Sequence, residues 1–92
     1  MANSAIGSDW EDFRKEIFTP EEIAESDNRV AIIVAMIEAR REKKLSQEQL
    51  EELSGVKQSA IARLESGSQM PSLSTLVKLL TPLGKKLAVV DI

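Results

Sequence analysis

The strongest constraint on the fold is a pair of short amphipathic segments joined at a glycine, within residues 45–67. This stretch reads LSQEQLEELSGVKQSAIARLESG. Ser46 is a residue type that begins helices, and Gly55 supplies the positive φ that a tight bend between two helices needs. The spacing predicts helices over 47–54 and 57–66 whose apolar residues hold the bend together. Those residues are Leu50, Leu53, Val56, Ile61 and Leu64.

The outer face of the second helix carries side chains that suit contact with DNA. Two such helices joined by a short turn with glycine have the geometry of a helix-turn-helix, whose second helix lies in the major groove. Gln can make two hydrogen bonds with adenine, and Arg can make two with guanine. The outer residues are Lys57, Gln58, Ser59, Ala62, Arg63 and Ser66. A solvated bend that binds nothing would have the same Leu and Gly spacing, so this pattern alone leaves both interpretations open.

The net charge of −3 conceals two segments of opposite sign. Residues 1–28 contain eight acidic and two basic residues, a charge of −6, whereas residues 29–92 contain ten basic and seven acidic residues, a charge of +3. The segments therefore prefer oppositely charged partners. We divide the chain into an acidic N-terminal segment (1–28), a helix-turn-helix domain (29–84) and a C-terminal segment (85–92).

The acidic segment is predicted to be helical. Large apolar residues recur at helical spacing over about 8–18 and form one stripe on a short helix. The stripe consists of Trp10, Phe13 and Ile17, and Phe18 follows it. The run TPEE at 19–22 then combines an N-cap, a first-turn proline and a capping box. The next helix is predicted to run through residue 43; Ser26-Asp27-Asn28 could divide it, but we favour one long helix.

The end of the chain predicts one more helix and a strand. Ser72 is an N-cap for a helix that Pro82 and Gly84 end. The run KKLAVVDI is rich in β-branched residues and predicts a strand over about 86–91. Because a lone strand leaves its backbone groups unpaired, we expect it to pair with its copy in a homodimer. A strand folded back on its own chain and a frayed tail are the alternatives.

Composition excludes several classes of function. The chain contains no cysteine and no histidine, which excludes disulfides and the metal or catalytic sites that depend on thiolate or imidazole groups. We therefore expect no enzyme activity, no metal and no cofactor. No apolar run approaches the roughly 20 residues of a membrane span, and the first residues lack the order of a signal peptide. We expect a cytoplasmic protein that does not enter a membrane.

Residues 45–80, which begin LSQEQLEELSGVKQ and continue to PSLSTLVKLL, resemble the helix-turn-helix domain of the phage Cro and C1 repressors and the xenobiotic-response-element (XRE) regulators. Four motifs carry the resemblance in order: an L-[ST]-Q start, a G-V turn, an I-x-x-[LIW]-E-x-G close and a P-S-L restart. The fold we expect is all-α, a five-helix Cro/C1-type domain with a short N-terminal acidic helix and one C-terminal β-strand.

The resemblance also implies roles for individual residues. Gln47 would bind a phosphate at the start of its helix, and Ser68 and Gln69 would meet a second phosphate with their side chains and backbone amides. Arg40 and Glu65 would form a structural ion pair. Gln58, Ser59 and Arg63 would occupy base-reading positions. With Lys57, which the resemblance does not supply, the candidate DNA-binding residues are Gln47, Lys57, Gln58, Ser59, Arg63, Ser68 and Gln69.

Three residues depart from the family pattern. Glu51 stands where the family usually has Ala, Lys44 where Gly usually ends the preceding helix, and Lys57 where Ser or Thr usually caps the recognition helix. Lys44 in a left-handed conformation would cost up to ~1 kcal/mol. We interpret Lys57 as a phosphate contact, with an ordinary surface lysine as the alternative.

The longer pattern from IGSDWEDFRKEIF to LGKKLAVVDI resembles the antitoxins of HigA type. It implies a protein that neutralises a RelE-like, messenger-RNA-cleaving toxin of HigB type and represses its own operon at an inverted-repeat operator. The acidic segment would be drawn to a small basic toxin. The candidate toxin-binding residues are Trp10, Phe13, Ile17, Phe18, Glu11, Asp12 and Glu16.

Three alternatives stay open at this stage. The apolar stripe could pack on the chain's own long helix, with the acids as its solvated face. The protein could be a stand-alone XRE-family repressor without a toxin partner. It could also be a toxin-binding module whose DNA domain no longer functions.

Overall fold

The computed structural model describes residues 2–92, and the surroundings of their side chains from Asp9 onward. This part of the chain contains five α-helices and a final 3-10 turn, and no helix in it is long and apolar enough to cross a membrane. The helices are α1 (Ala2–Ile17), α2 (Pro20–Glu42), α3 (Gln47–Ser54), α4 (Gln58–Ser66) and α5 (Leu73–Leu80), and the 3-10 turn is Thr81–Leu83. The predicted helical class is therefore confirmed. The helices divide into two compact units, one ending at Val30 and one running from Ala31 to Ile92.

The N-terminal unit contains α1 and the first part of α2. α1 begins at Ala2, earlier than the predicted start near residue 8. The predicted capping box of α2 is confirmed: the amide of Glu22 donates to Thr19 Oγ1 at 3.1 Å, and the amide of Thr19 donates to Glu22 Oε1 at 2.9 Å. α2 then continues to Glu42 as one helix, as the favoured prediction had it.

The C-terminal unit is built around an apolar core contributed by α2 to α5, the turn between α3 and α4, and the 3-10 turn. Its buried members are Met36, Ala39, Leu50, Val56, Ile61, Leu64, Leu76, Leu79, Leu80 and Leu83. The prediction that Leu50, Val56, Ile61 and Leu64 hold the helix pair together is confirmed by their burial. It is wrong for Leu53, which is 59% exposed. A step of three residues turns a side chain by about 60° around the helix axis, so this leucine lies beside the narrow stripe that a two-turn helix buries.

The predicted C-terminal strand is wrong. Residues 85–92 have no regular secondary structure, and the described chain contains no strand. The reason is the one that makes any lone strand unstable: an extended segment needs a neighbouring strand to satisfy its backbone N–H and C=O groups. Within the described residues no such neighbour exists, and Val89, Val90 and Ile92 are exposed.

Candidate nucleic-acid interface

The bend between α3 and α4 is fixed by local hydrogen bonds at both ends of α3. Ser46 caps α3: its Oγ accepts from the amide of Gln49 at 3.0 Å, and Gln49 Oε1 accepts from the amide of Ser46 at 2.7 Å. Gly55 ends the helix at φ 76°, and its amide donates to the carbonyl of Glu51 at 2.8 Å. The left-handed conformation at Gly55 turns the chain towards α4, as the sequence predicted.

The start of α4 has an unusual cap. Lys57 occupies the N-cap position in an extended conformation, but its side chain makes no capping hydrogen bond. Instead Glu51, on α3, accepts a hydrogen bond from the amide of Gln58 at 2.7 Å through Oε1. Sequence reasoning missed this bond, although its signal was present: Glu51 and Lys57 both depart from the family pattern.

Two of the glutamines that are predicted to contact DNA form a hydrogen bond with each other. Gln58 Nε2 donates to Gln47 Oε1 at 2.6 Å, and Gln47 Nε2 donates to Glu65 Oε1 at 3.1 Å. Both glutamine side chains are half-buried. The start of α3 and the start of α4 are therefore joined by a chain of side-chain hydrogen bonds.

This chain of hydrogen bonds ends on the ion pair between Arg40 and Glu65, the two residues expected to pair. Arg40 Nε donates to Glu65 Oε2 at 2.7 Å, and Arg40 Nη2 donates to Glu65 Oε1 at 2.8 Å. Arg40 Nη1 also donates to the carbonyl of Leu45 at 2.8 Å. The pair is well shielded, because the side chains are 14% and 8% exposed.

The ion pair sets the charge state of Glu65. Burial by itself would raise the pKa of Glu65, but the hydrogen bonds from Arg40 and Gln47, with the charges of Arg40 and Arg41, outweigh it and hold the pKa below its ordinary value. Glu65 consequently stays ionised at neutral pH. Its role is to join α2, α3 and α4.

The remaining candidates lie on the surface around α4 and the loop after it. Lys57, Ser59, Arg63, Ser68 and Gln69 are all exposed. The amides of Ser68 and Gln69 donate to the carbonyl of Arg63, at 3.0 and 3.4 Å. These amides are thus engaged at the end of α4, and the hydroxyl of Ser68 also donates to the carbonyl of Arg63, at 3.3 Å. Gly67 (φ 78°) makes the turn that places them there.

The N-terminal unit presents a separate apolar surface. Trp10, Phe13, Ile17 and Phe18 are between 45% and 57% exposed, and the rings of Trp10 and Phe13 stack with their centroids 5.9 Å apart. The acidic candidates Glu11, Asp12 and Glu16 are also exposed. We call these seven residues the N-terminal patch.

Arg14 ties the two helices of the N-terminal unit together. It donates to Asp27 Oδ1 at 2.9 Å and to Glu11 Oε1 at 3.3 Å. The hydrogen bond with Asp27 raises the pKa of Arg14 above its ordinary value. Asp27 had been considered as a helix breaker; in the structure it lies within α2 and pairs with Arg14 of α1.

Comparison with known proteins found a family match and two similar proteins. The Helix-turn-helix family model (HTH_3) matches residues 36–90. An uncharacterized HTH-type transcriptional regulator from Haemophilus influenzae is 53% identical over 89 residues, which cover 97% of this chain and 91% of that protein. A solved structure described as a toxin-antitoxin module from Streptococcus pneumoniae has 57% identity and a TM-score of 0.75, with 97% of this chain and 99% of that chain covered.

The family of the match is one of DNA-binding regulators and not a class of enzymes, so the prediction of no enzyme activity is confirmed. The matched residues include all of α3, α4 and α5, with the Gln47, Gln58 and Arg40 to Glu65 contacts described above. The chain belongs to the Cro/C1-type (XRE) helix-turn-helix family of transcriptional regulators.

Proposed function

We propose that this protein is the antitoxin of a type II toxin-antitoxin pair, which neutralises a RelE-like, messenger-RNA-cleaving toxin of HigB type and represses its own operon. The observation that carries the proposal is the combination of an exposed aromatic patch in a segment of charge −6 with a helix-turn-helix unit of positive charge. The 57% identity to a toxin-antitoxin module supports it. Operator DNA and a messenger-RNA-cleaving toxin would both be met in the cytoplasm.

The DNA half of the proposal depends on the exposed outer side of α4. Arg63 would read a base edge, with Gln58 and Ser59 beside it, and Lys57, Gln47, Ser68 and Gln69 would contact phosphates. In a homodimer, two copies of α4 would meet successive major grooves about 34 Å apart on an inverted repeat.

Arg63→Ala should weaken operator binding by about 1 to 3 kcal/mol and relax the preference at one base. A gel-shift assay on the operon's own promoter measures this loss, with Lys78→Ala on α5 as the control of equal charge.

The homodimer itself is supported by an unfilled apolar surface on the C-terminal unit. Leu73 and Val77 on α5 are 67% and 48% exposed, and together with Leu87 and Val89 they line an open groove of about 470 Å³. Burial of such a surface against a second copy would remove apolar area from water. Sedimentation equilibrium of the full chain and of Val77→Glu should separate dimer from monomer; a monomeric full chain would contradict this part of the proposal.

The toxin half depends on the N-terminal patch. A messenger-RNA-cleaving toxin binds a polyanion and is expected to be basic, so acidic residues would steer it and cover its RNA-binding surface. The aromatic residues would hold the complex, because Trp and other aromatic side chains dominate interface energies. The exposure of Trp10 and Phe13 leaves these rings open to a partner.

The decisive experiment is co-expression with the neighbouring gene. The full chain should rescue growth and co-purify with that gene's product, and Arg63→Ala should do the same while losing repression. The pair Trp10→Ala and Phe13→Ala should lose rescue while keeping repression. If no neighbouring product is toxic, or if toxicity persists without a complex, the antitoxin role is wrong and a stand-alone repressor is the better assignment.

A further inference from the structure

We infer that Glu51 is a positioning residue of the DNA interface: its carboxylate on α3 caps the first amide of α4, whose own N-cap residue, Lys57, provides no side-chain acceptor. This inference rests on the proposed use of α4 as the recognition helix. It goes beyond that proposal, because Glu51 is assigned no contact with DNA. Its effect reaches DNA through the residue it holds, Gln58.

The first turn of α4 needs hydrogen-bond acceptors from outside the helix. The first N–H groups of a helix have no acceptor inside the helix and require one outside it. The amide of Ala60 donates back to the carbonyl of Lys57 at 2.9 Å, but the lysine side chain is a cation and can only donate. The amide of Gln58 is satisfied by Glu51 Oε1 at 2.7 Å. A carboxylate at this end of the helix also has the favourable sign towards the helix dipole.

The position of Glu51 on α3 makes it part of one arrangement with Gln47. The two residues are four apart and so lie on the same face of the helix. Gln47 accepts from the side chain of Gln58, and Glu51 accepts from its backbone. α3 therefore holds Gln58 at two points, which fixes both the start of α4 and the direction of a base-reading side chain.

The carboxylate of Glu51 is expected to have opposite effects on specific and on non-specific DNA binding. A carboxylate beside a helix that approaches phosphates repels DNA at any sequence, since phosphate attraction is the sequence-independent part of binding. Its benefit is limited to DNA on which Gln58 must be accurately placed. Removal of Glu51 should therefore weaken specific binding without weakening non-specific binding.

The capping role is tested by a double-mutant cycle in thermal unfolding. Glu51→Ala should lower the Tm of the full chain by about 4 to 8 °C, the shift expected when a cap of ordinary strength is lost from a small domain. In the background of Lys57→Ser, whose hydroxyl can accept from the second or third amide of α4 but not from that of Gln58, the same substitution should lower it by about as much. Glu52→Ala, at an exposed glutamate on the same helix, is the control of equal charge. A loss in either background no larger than that from Glu52→Ala would overturn the capping role.

The positioning role is tested by comparing two DNA affinities well below the Tm. For Glu51→Ala, the affinity for operator DNA should fall about fivefold, whereas the affinity for a scrambled duplex at low salt should be unchanged or higher. A parallel fall in both, or no fall in either, would overturn positioning. If the wild-type chain prefers no DNA sequence, the proposed operator function fails, while the unfolding cycle still decides whether Glu51 caps α4.

Discussion

Lys44 has φ 56° and is the one residue other than glycine with a positive φ in the described chain. It stands where α2 ends, and two hydrogen bonds show why the left-handed conformation is needed. The amide of Lys44 donates to the carbonyl of Arg41 at 2.9 Å, and the amide of Leu45 donates to that of Arg40 at 3.1 Å. These bonds satisfy carbonyl groups at the helix end as in a Schellman motif.

Lys44→Gly should stabilise the protein by about 0.5 to 1 kcal/mol. Glycine adopts this conformation without the steric cost of a Cβ, and the gain is reduced by the greater freedom of glycine in the unfolded chain. Urea unfolding followed by circular dichroism measures the difference. Lys43→Gly removes the same charge at a position with negative φ and should stabilise nothing; equal gains in both variants would show that charge, not conformation, is responsible.

Glu65 makes part of the stability depend on pH. Its pKa in the folded protein lies below the ordinary value, so its contribution is complete above the unfolded pKa and is lost as pH falls through the folded pKa. At pH 7, Glu65→Gln should cost about 2 kcal/mol, because the side chain loses its negative charge and one of the two oxygens that accept from the charged Arg40. The difference in unfolding free energy between the two proteins should shrink as the pH falls below the ordinary pKa of a glutamate, 4.5, and through the lower pKa of Glu65 in the folded protein. A difference that stayed constant over this range would contradict the assignment.

At the scale of the element, the starts of α3, α4 and α5 are capped in two different ways. α3 and α5 carry serine caps, since Ser46 accepts from Gln49 and Ser72 accepts from Thr75 at 3.3 Å. α4 is capped from another helix. Local caps involve residues three apart, and sequence alone identified both of them.

Ser46→Ala should therefore destabilise the C-terminal unit by about 1 kcal/mol, the usual cost of a lost cap. Ser46→Asp keeps an acceptor at the same place and should retain stability close to that of the wild type. Chemical unfolding of the three proteins tests this. A loss that is the same in both variants would mean that the serine acts in some way other than capping.

Two of the features that sequence reasoning missed depend on how separate segments of the chain meet. The burial of Leu50, Ile61 and Leu64 follows from helical spacing, and so could be predicted. The bond from Gln58 to Glu51 depends on how two helices meet, which spacing within either helix does not determine. The strand over 86–91 was wrong for the same reason, because strand propensity is local whereas strand pairing requires a partner.

At the scale of the whole molecule, charge and apolar surface are distributed differently in the two parts of the chain. The acidic segment has a charge of −6 and the large exposed aromatic side chains, and the rest has a charge of +3 and the helix-turn-helix. Long-range charge affects mainly how fast partners meet, and buried contacts affect mainly how slowly they separate. The two contributions of the N-terminal patch can therefore be measured separately.

The triple variant Glu11→Gln, Asp12→Asn and Glu16→Gln should slow association with the proposed toxin about tenfold at low salt and change dissociation little. Phe13→Ala should show the opposite pattern, because it removes apolar contact and leaves the charge intact. Surface plasmon resonance at several salt concentrations separates the two rates, and the difference between the triple variant and the wild type should shrink as salt screens the charges.

Glu38→Gln, Glu42→Gln and Asp91→Asn together remove the same charge outside the acidic segment. If this control slowed association as much as the triple variant, net charge and not the N-terminal patch would be steering the toxin.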